Sequence, residues 1–477
     1  MSATVPTIQR CLVKRGQELE LTLEKFADRG KSLARLDGYV VFVAGAMPGD
    51  TVRVRIRKRK KKFAEAQLLD VLKPSPLRID PRCDYFGTCG GCKWQHVQYQ
   101  AQLDAKRQSV EDALRFNGGF SDVTALPTIG ADPTFFYRNK MEFSFSTKRW
   151  LMDHEIEGGE IKDKAFALGL HVNFMKVVDL KMCHLQSEWS ARLVNAFRVL
   201  AREHDWAPWD VKQHVGYLRH LVVRRGEFTG ERMVNLVTYG YDEERIALIA
   251  DFLRERFPEV TTFVNTINTS WAQTAFGEEV RTIYGPGVIH DTIGPYRFEI
   301  ASNAFFQTNT RQAEVLYNVA RDFAELRPTD VLYDLYCGAG TISIFVSGHV
   351  QRVVGVELVE EAVVNARRNA VANGVDNCTF LAGDLMRLFT PEFVREHGRP
   401  DVLIVDPPRA GMHPKVVKQI AALRPERFVY VSCNPQTQAR DLADLRDMYD
   451  IEAAQPVDLF PHTYHIETVA KMRLRNP

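Results

Sequence analysis

A cysteine that could act as a nucleophile stands at the end of an apolar run near the C-terminus. The run Arg427 to Val431 ends in Ser432-Cys433-Asn434-Pro435, and the run Asp401 to Val405 ends in Asp406-Pro407-Pro408-Arg409. Short apolar runs bounded by turn residues predict buried strands. Open α/β sheets bind ligands beyond the carboxyl ends of their strands. We therefore expect Cys433 and Asp406 to meet at one sheet edge, in an active site that modifies a nucleic-acid base.

Thiol chemistry on a pyrimidine would need three functional groups. A thiolate that adds to C6 of uracil makes C5 nucleophilic enough to accept a methyl group, and a base must then remove the C5 proton so that the thiol can leave. An acid or donor must also bind the edge of the base. Cys433 is the candidate nucleophile, Asp406 the candidate acid, and Glu467, in the strand-like segment His465 to Ala470, the candidate base.

Each of these residues also has a purely structural interpretation. A lone cysteine beside a strand end is usually a small buried hydrophobic residue, and a lone glutamate in an alternating strand usually faces solvent. His462 and His465 compete with Glu467 for the role of base. Without a cofactor loop elsewhere in the chain, the catalytic interpretation of Cys433 would be no better supported than the structural one.

A glycine-bearing loop upstream has the form of a nucleoside-binding turn. The segment Asp334 to Thr341, of sequence DLYCGAGT, leaves one predicted strand and opens a helix. Its two glycines let the backbone turn sharply close to a ligand, and Glu357 ends the next predicted strand, where an acid can bind ribose hydroxyls. Ser343 replaces the third glycine of dinucleotide-binding loops, which argues against a pyrophosphate and fits S-adenosylmethionine. The alternative is a structural turn.

Asp384 follows the third predicted strand of this region. At that place it could contact the adenine of a nucleoside cofactor. An aspartate there would equally serve as the N-cap of the next helix. The sequence supports both interpretations to the same degree.

Four of the eight cysteines form a pattern. Cys83, Cys89 and Cys92 lie within ten residues that also contain three glycines, and Cys183 follows 91 residues later. Four thiolates suit either a structural zinc ion or an iron–sulfur cluster, and the spacing decides only weakly between them. The alternative of three buried cysteines and one unrelated thiol leaves the glycines unexplained. A disulfide framework is not expected in a chain of this kind.

The length of 477 residues predicts more than one domain. Residues 10–72 hold short alternating strands, which predicts a small barrel of the oligonucleotide-binding type over residues 1–73. Residues 74–300 mix strands and helices, and their acidic segment Asp153 to Lys164 is predicted to be a surface loop. In the domain 301–477, strands alternate with helices from about Pro328 onward, which predicts a mostly parallel α/β sheet covered on both faces.

Positive charge is concentrated near the N-terminus. Residues 1–73 contain 16 Lys/Arg against 8 Asp/Glu, although the net charge of the whole chain is only +2. The densest part, Arg53 to Lys62, favours a nucleic-acid partner, because basic clusters bind phosphates whatever the base sequence. A solvated hairpin tip and a localisation signal are the alternatives. No apolar stretch reaches membrane-spanning length, and Met1 to Pro6 lacks the features of a signal peptide, so we expect a cytoplasmic location.

Four segments together resemble the RNA uracil-5-methyltransferase family. They are Asp334 to Gly340, Val405 to Gly411, Ser432 to Pro435 and His465 to Ala470. The resemblance extends over nearly the whole chain, since residues 10–72 are similar to the TRAM domain, an RNA-binding barrel. It implies a TRAM barrel of OB type over residues 1–73, a central α+β iron–sulfur domain over residues 74–300, and a Rossmann-like class I S-adenosylmethionine-dependent methyltransferase domain over residues 301–477.

The resemblance also implies individual roles. Cys433 would attack C6 and Glu467 would take the C5 proton. The positions that match contacts to the methyl donor are Gln307, Tyr336, Thr341, Glu357, Asp384 and Asp406. Thr341 stands where some relatives have Asn. The four patterned cysteines, Cys83, Cys89, Cys92 and Cys183, would hold a [4Fe–4S] cluster, which the resemblance favours over zinc.

The expected function is methylation of C5 of a uridine in RNA, giving 5-methyluridine through a covalent Cys–C6 adduct. The resemblance favours 23S ribosomal RNA, because members with both a TRAM-like domain and four cysteines more often modify ribosomal RNA; transfer RNA is the alternative. Two rival functions are a non-catalytic RNA-binding or assembly factor and a redox iron–sulfur protein. We expect a monomer.

Overall fold

The computed structural model describes residues 13–158 and 164–475. Cys11, the N-terminal segment and part of the acidic segment Asp153 to Lys164 therefore lie outside the described residues. The chain divides into two compact units. The first contains residues 13–87, 91–105 and 462–464, and the second contains residues 88–90, 106–461 and 465–475.

The first unit is built on a six-stranded sheet. Its strands are β1 (Glu18–Thr22), β2 (Lys25–Phe26), β3 (Ser32–Leu36), β4 (Tyr39–Val43), β5 (Thr51–Arg59) and β6 (Phe63–Lys73), arranged in the order β1-β5-β6-β4-β3-β2. Alternation of apolar and charged residues along β5 buries Val52, Val54 and Ile56 and leaves the basic side chains between them exposed. The basic segment predicted to bind nucleic acid thus lies on β5 and the turn that follows it.

The second unit contains an eight-stranded sheet of order β14-β13-β12-β11-β7-β9-β10-β8. The chain reaches it through α1 (Tyr99–Phe116) and then forms β7 (Lys140–Ser146), β8 (Arg149–Trp150), α2 (Asp153–Glu157), β9 (Ala167–His171), β10 (Val177–Asp179), α3 (Glu188–Glu203), β11 (Leu218–Arg225), β12 (Arg232–Thr238), α4 (Glu243–Arg256), β13 (Thr262–Ile267) and β14 (Glu279–Tyr284). The hairpin of β15 (Val288–Ile293) and β16 (Tyr296–Ala301) follows.

A seven-stranded sheet of order β19-β18-β17-β20-β21-β23-β22 completes the second unit. Its elements are α5 (Thr310–Ala324), β17 (Val331–Leu335), α6 (Thr341–Val346), β18 (Arg352–Glu357), α7 (Glu360–Ala372), β19 (Cys378–Ala382), α8 (Leu385–Leu388), α9 (Pro391–His397), β20 (Val402–Val405), α10 (Pro414–Leu423), β21 (Arg427–Ser432), α11 (Pro435–Ala443), β22 (Tyr449–Val457) and β23 (Glu467–Leu474). The pairs among β17 to β21 are parallel, and β23 runs antiparallel to both of its neighbours.

Both faces of this sheet are covered, as the continuous apolar runs predict. Side chains of one face, such as Leu332 and Ile404, belong to one hydrophobic cluster with α5, α6 and α7. Side chains of the other face, such as Tyr333 and Leu403, belong to a second cluster with α10 and α11. A parallel sheet buried on both faces keeps polar side chains at its strand ends.

The predicted runs Asp401 to Val405 and Arg427 to Val431 form β20 and β21, and the observed strands agree with them within one residue at each end. The prediction of a surface loop over Asp153 to Lys164 is wrong for its first part, because Asp153–Glu157 form α2. Among the described residues, no helix combines the length and apolar character needed to cross a bilayer.

Candidate active site at the strand ends

Three neighbouring strands bring the predicted catalytic residues to one edge of the seven-stranded sheet. Asp406 follows β20 and Cys433 follows β21, whose parallel register pairs Val405 with Tyr430. Glu467 begins β23, which runs antiparallel to β21 and pairs Thr468 with Ser432. Because β23 is reversed, its first residue lies at the edge where β20 and β21 end. The sheet order therefore gathers residues separated by up to 61 positions in the sequence.

Local hydrogen bonds fix the turn that carries Cys433. The backbone N–H of Asn434 donates to the Ser432 hydroxyl at 3.1 Å, and the Asn434 side-chain amide donates to the carbonyl of Arg409 at 3.0 Å. Asn434 also caps α11 by accepting from the N–H of Gln436, and Pro435 occupies the first helical turn. The Cys433 turn and the loop after Asp406 are thus held together, and the half-buried thiol has a defined position.

The groups around the thiol disfavour negative charge. Burial, together with Glu467 and Asp406, raises the pKa of Cys433 to about 11. Burial raises the pKa of Glu467 well above its ordinary value, with a smaller contribution from Asp406, and burial with Asp334 raises the pKa of Asp406 to about 7. Glu467 is only 4% exposed, so it does not lie on a solvated face. Among the described residues, no protein donor forms a hydrogen bond to the side chain of Asp406 or Glu467.

Arg409 is a site residue that sequence reasoning did not single out. It lowers the pKa of both Cys433 and Glu467, although burial outweighs it in each case. Its Nη2 lies 3.4 Å from Nδ1 of His465. Burial, Arg409 and two further cations lower the pKa of His465 to about 4, so this candidate base is neutral and weak at physiological pH. The position of Arg409 directly after Asp-Pro-Pro was the available signal.

The other candidate base, His462, belongs to the first unit. Its ring is 4% exposed, and its Nδ1 lies 3.3 Å from the side-chain amide of Gln102. Its backbone N–H donates to the Gln102 side-chain oxygen at 2.9 Å. His462 therefore takes part in the packing of its own unit.

The glycine-bearing loop has the geometry of a ligand cradle. Tyr336, Gly338 and Gly340 have φ values of 69°, 55° and 76°, in the left-handed region. A Cβ on Gly340 would come within 2.8 Å of the Phe380 ring, whereas a Cβ on Gly338 would meet no atom within 4 Å. The N–H of Gly338 donates to a carboxylate oxygen of Glu357 at 3.1 Å. The loop thus places open space beside the acid at the end of β18, which fits a nucleoside.

Two further donor-binding candidates lie close to this loop, since Thr341 follows Gly340 and the charge of Asp384 acts on Tyr336. The hydroxyl of Thr341, at the start of α6, is 2.9 Å from that of Tyr317. Asp384 accepts from the N–H of Met386 and caps α8, so its structural role is confirmed, while a contact to adenine stays a prediction. Gln307 is 8% exposed, and its carbonyl accepts from the Asn139 amide at 2.8 Å.

Comparison with known proteins adds independent observations. A family model described as tRNA (uracil-5-)-methyltransferase matches residues 289–473, and a TRAM domain model matches residues 12–69. Two relatives, from Chlorobaculum tepidum and Bacteroides thetaiotaomicron, are described as uncharacterized RNA methyltransferases. Each is 42% identical; the alignments cover 97% of this chain and 97% of the first protein, and 94% of this chain and 100% of the second. This chain belongs to the RNA uracil-5-methyltransferase family.

A solved structure supports this assignment over the whole length. The Pyrococcus abyssi tRNA (uracil-54, C5)-methyltransferase, in complex with S-adenosyl-L-homocysteine, matches with a TM-score of 0.75 and 28% identity, over 95% of this chain and 100% of that one. The predictions of an RNA methyltransferase, of a class I S-adenosylmethionine-dependent fold and of an N-terminal TRAM domain are confirmed. The roles of individual residues in this family member stay predictions.

The four patterned cysteines are a suitable donor set for a soft metal, but the structure does not show a metal site. Within residues 13–158 and 164–475, no three or more His, Cys, Asp or Glu side chains are grouped so that they could hold a metal ion. All four cysteines are half-buried. Cys83 and Cys92 belong to the first unit, and Cys89 and Cys183 belong to the second. The iron–sulfur cluster therefore stays a prediction from the sequence.

Proposed function

We propose that this family member methylates C5 of a uridine in RNA through a transient bond between Cys433 and C6 of the base. The observation that carries the proposal is the convergence of one half-buried thiol and two carboxyl groups, Asp406 and Glu467, at the ends of three adjacent strands. Buried groups with strongly shifted pKa values in a cleft are typical of catalytic sites. The neighbouring glycine loop supplies a place for the nucleoside of the methyl donor.

The proposed steps assign one task to each side chain. The thiol of Cys433 releases its proton to solvent and the thiolate forms the bond to C6, while Asp406, whose pKa of about 7 lets it retain a proton, binds the edge of the uracil. When bound, S-adenosylmethionine supplies a methyl group on a positively charged sulfur. The electron pair that the thiolate pushes onto C5 would take up this methyl, while the methyl–sulfur bond of the donor would break and its electron pair would stay on the sulfur. Glu467, in its ionised form, then accepts the C5 proton, the C5–C6 double bond re-forms, and the C6–sulfur bond breaks to release the thiolate.

The target base must leave its stack to reach a half-buried thiol. A uridine in a loop or single strand requires the least unstacking energy, so we propose a target of that kind. Ribosomal 23S RNA is favoured by the combination of a TRAM domain with the four cysteines. Transfer RNA is the second candidate, because the solved structure that matches the whole chain is of a tRNA enzyme.

The decisive experiment combines a trapping RNA with a cysteine variant. RNA that contains 5-fluorouridine has no removable proton at C5, so wild-type enzyme with donor should form a stable covalent complex on a denaturing gel. Cys433→Ala should form none and should lose methyl transfer by at least about 10⁴-fold. Cys378→Ala, which also removes a half-buried thiol next to a strand, is the matched control and should keep both activities.

Two outcomes would contradict the proposal. If wild-type enzyme transfers methyl groups to RNA without ever forming the adduct, the covalent step is wrong. If Cys433→Ala still produces 5-methyluridine, the assigned nucleophile is wrong. Supplying 23S ribosomal RNA and transfer RNA separately with labelled donor, and mapping the product, decides which RNA is modified.

The four cysteines form a separate part of the proposal. We propose that they hold a [4Fe–4S] cluster with a structural or RNA-positioning role, since no step of the transfer needs an electron. Protein purified without oxygen should then contain iron and acid-labile sulfide in equal amounts, and Cys89→Ser should lose stability or RNA affinity. A stable, fully active Cys89→Ser enzyme without iron would refute the cluster. Stoichiometric zinc in the wild-type protein would show that the four cysteines hold zinc instead.

A further inference from the structure

Four aromatic rings form a stacked group in the part of the chain that precedes the seven-stranded sheet. Trp271 is 74% exposed, and its ring stacks on His214 with centroids 4.6 Å apart and planes at 16°. Trp209 stacks in the same way on Tyr239, at 4.7 Å and 21°. The ring centroids of Trp209 and His214 lie 6.2 Å apart. We call Trp209, His214, Tyr239 and Trp271 the ring platform.

The eight-stranded sheet brings these rings together from three loops. Trp209 and His214 precede β11, Tyr239 follows β12, and Trp271 follows β13. Strand β11 is antiparallel to β12, whereas β12 and β13 are parallel. The start of β11 and the ends of β12 and β13 therefore lie at one edge of the sheet, just as the catalytic residues lie at one edge of the other sheet.

Hydrogen bonds fix the loop before β11 and the loop after β13. The guanidinium of Arg219, which is 2% exposed, donates to the carbonyls of Asn268, Ser270 and Ala272 at 2.6–2.7 Å and so shapes the loop that displays Trp271. The carboxylate of Asp210 accepts from the backbone N–H groups of Lys212 and Gln213, next to His214. An exposed indole on a fixed loop has lost little freedom before a partner binds.

The platform also carries positive charge. The Arg219 guanidinium lies over the Trp209 ring, 4.7 Å from its centroid, and all of its hydrogen bonds go to neutral carbonyls. In the part of the chain that the structure describes, no carboxylate forms an ion pair with Arg219, and its Nε and the Trp209 Nε1 are buried without an acceptor. Both side chains line a small cleft together with His220. The Arg219 cation behind the Trp209 ring favours a partner rich in negative charge.

We propose that the ring platform binds single-stranded RNA by stacking nucleobases on Trp271 and its neighbours. The proposal deepens the proposed function, because it assigns a second contact surface for the RNA substrate. Aromatic side chains bind unpaired bases of any sequence by stacking, and an arginine behind the ring adds attraction. A protein partner would also cover exposed rings, but the cation behind them favours a partner that carries negative charge along its whole length, so RNA is favoured.

The test measures binding of the whole chain to single-stranded oligoadenylate and to an abasic strand of the same length. Trp271→Ala should weaken oligoadenylate binding about 5- to 100-fold, which is the loss expected for one stacked base. Trp271→Phe keeps an aromatic face and should retain most of the affinity. Phe116→Ala, which removes another exposed ring (72%) at the end of α1, is the matched control and should bind like wild type.

The abasic strand separates stacking from phosphate attraction. Wild type and Trp271→Ala should bind it equally, because it offers charge but no base. Unchanged oligoadenylate binding by Trp271→Ala would overturn the proposal and leave the platform for a protein partner. Because binding is measured without methyl transfer, this result is independent of the covalent mechanism: Cys433→Ala should bind oligoadenylate like wild type even though it transfers no methyl group.

Discussion

Two sheet edges in the second unit contain ionisable groups shielded from water. The two edges differ in how far these groups are hydrogen-bonded. At the catalytic edge, the carboxyl groups of Asp406 and Glu467 have raised pKa values and, among the described residues, no hydrogen-bond donor. At the edge of the ring platform, the guanidinium of Arg219 donates three hydrogen bonds to backbone carbonyls. The cation that shapes a loop is hydrogen-bonded through both of its terminal nitrogens, whereas no hydrogen-bond donor from the described residues reaches the two carboxyl groups.

This difference separates a binding role from a catalytic one. A buried cation that donates several hydrogen bonds to carbonyls stabilises one loop conformation, and its removal leaves unpaired carbonyls. A carboxyl group that is buried without donors is costly when ionised, so its pKa is raised and it can take part in proton transfer. We therefore expect substitutions at the two edges to have opposite effects on stability. Only substitutions at the edge of Asp406 and Glu467 should change the rate of methyl transfer.

The largest expected effect comes from Glu467→Gln at the catalytic edge. If Glu467 removes the C5 proton, the amide should slow product release about 10²- to 10⁴-fold, and the methylated RNA should remain attached to Cys433. A denaturing gel with labelled methyl donor detects this adduct. Glu452→Gln, on β22, removes a more exposed carboxylate that pairs with Lys471 and Arg473, and should release product normally. Normal turnover by Glu467→Gln would assign the base elsewhere.

Local information in the sequence predicted that Asp406 and Cys433 would lie at one sheet edge. Each follows one of two adjacent parallel strands, which end at the same edge, whereas Glu467 reaches this edge because it begins the antiparallel strand β23. The shifted pKa values were not predictable, because they depend on how deeply each group is buried in the folded chain. Arg409 was overlooked for the same reason, since its effect on Cys433 is visible only once both loops are in place.

The ring platform shows where sequence reasoning ends. Trp209, Tyr239 and Trp271 come from three loops, and nothing in their spacing indicates that they meet. Only the strand order of the eight-stranded sheet brings them together. The short strands β2 and β3 were likewise missed, because two to five residues carry too little periodicity to be recognised. The cysteine pattern is the reverse case: the sequence indicates a metal site, whereas in the described part of the chain no group of three or more His, Cys, Asp or Glu side chains could hold a metal ion.

The next largest effect should be a loss of stability at the platform. Arg219→Met removes the donors for three carbonyls in a buried site, which should lower the free energy of unfolding by about 3 kcal/mol. Denaturant unfolding followed by far-ultraviolet circular dichroism measures it. Arg281→Met, which removes an arginine that is 42% exposed and paired with Glu279 on β14, should change stability by less than about 1 kcal/mol. Equal effects of the two substitutions would show that the Arg219 bonds stabilise nothing.

A smaller effect of opposite sign is expected for Asp406→Asn. Burial raises the pKa of Asp406 to about 7, so the folded state holds this proton more tightly than the unfolded state does. The stabilisation is complete at low pH and is lost as the pH rises through about 7. The asparagine variant should therefore gain stability relative to wild type between about pH 4 and pH 8, by about 2 kcal/mol after allowance for partial exposure. A constant difference across this range would contradict the assigned burial.

The smallest predicted effect tests whether a cation in the cofactor site lowers the pKa of Cys433. Burial, Glu467 and Asp406 raise the pKa of Cys433 to about 11, so a positive charge nearby should lower it. In sinefungin a carbon replaces the sulfur of the methyl donor and carries a protonated amine in place of the methyl group, whereas S-adenosylhomocysteine is similar in size and neutral there. With sinefungin bound, alkylation of Cys433 at about pH 8 should be roughly tenfold faster than with S-adenosylhomocysteine, since one pKa unit changes the thiolate fraction tenfold. Cys378, whose pKa burial raises to about 12, serves as the internal reference and should react equally in both complexes. Equal alkylation of Cys433 in the two complexes would show that the donor charge does not reach the thiol, and Arg409 would then remain the main source of positive charge acting on it.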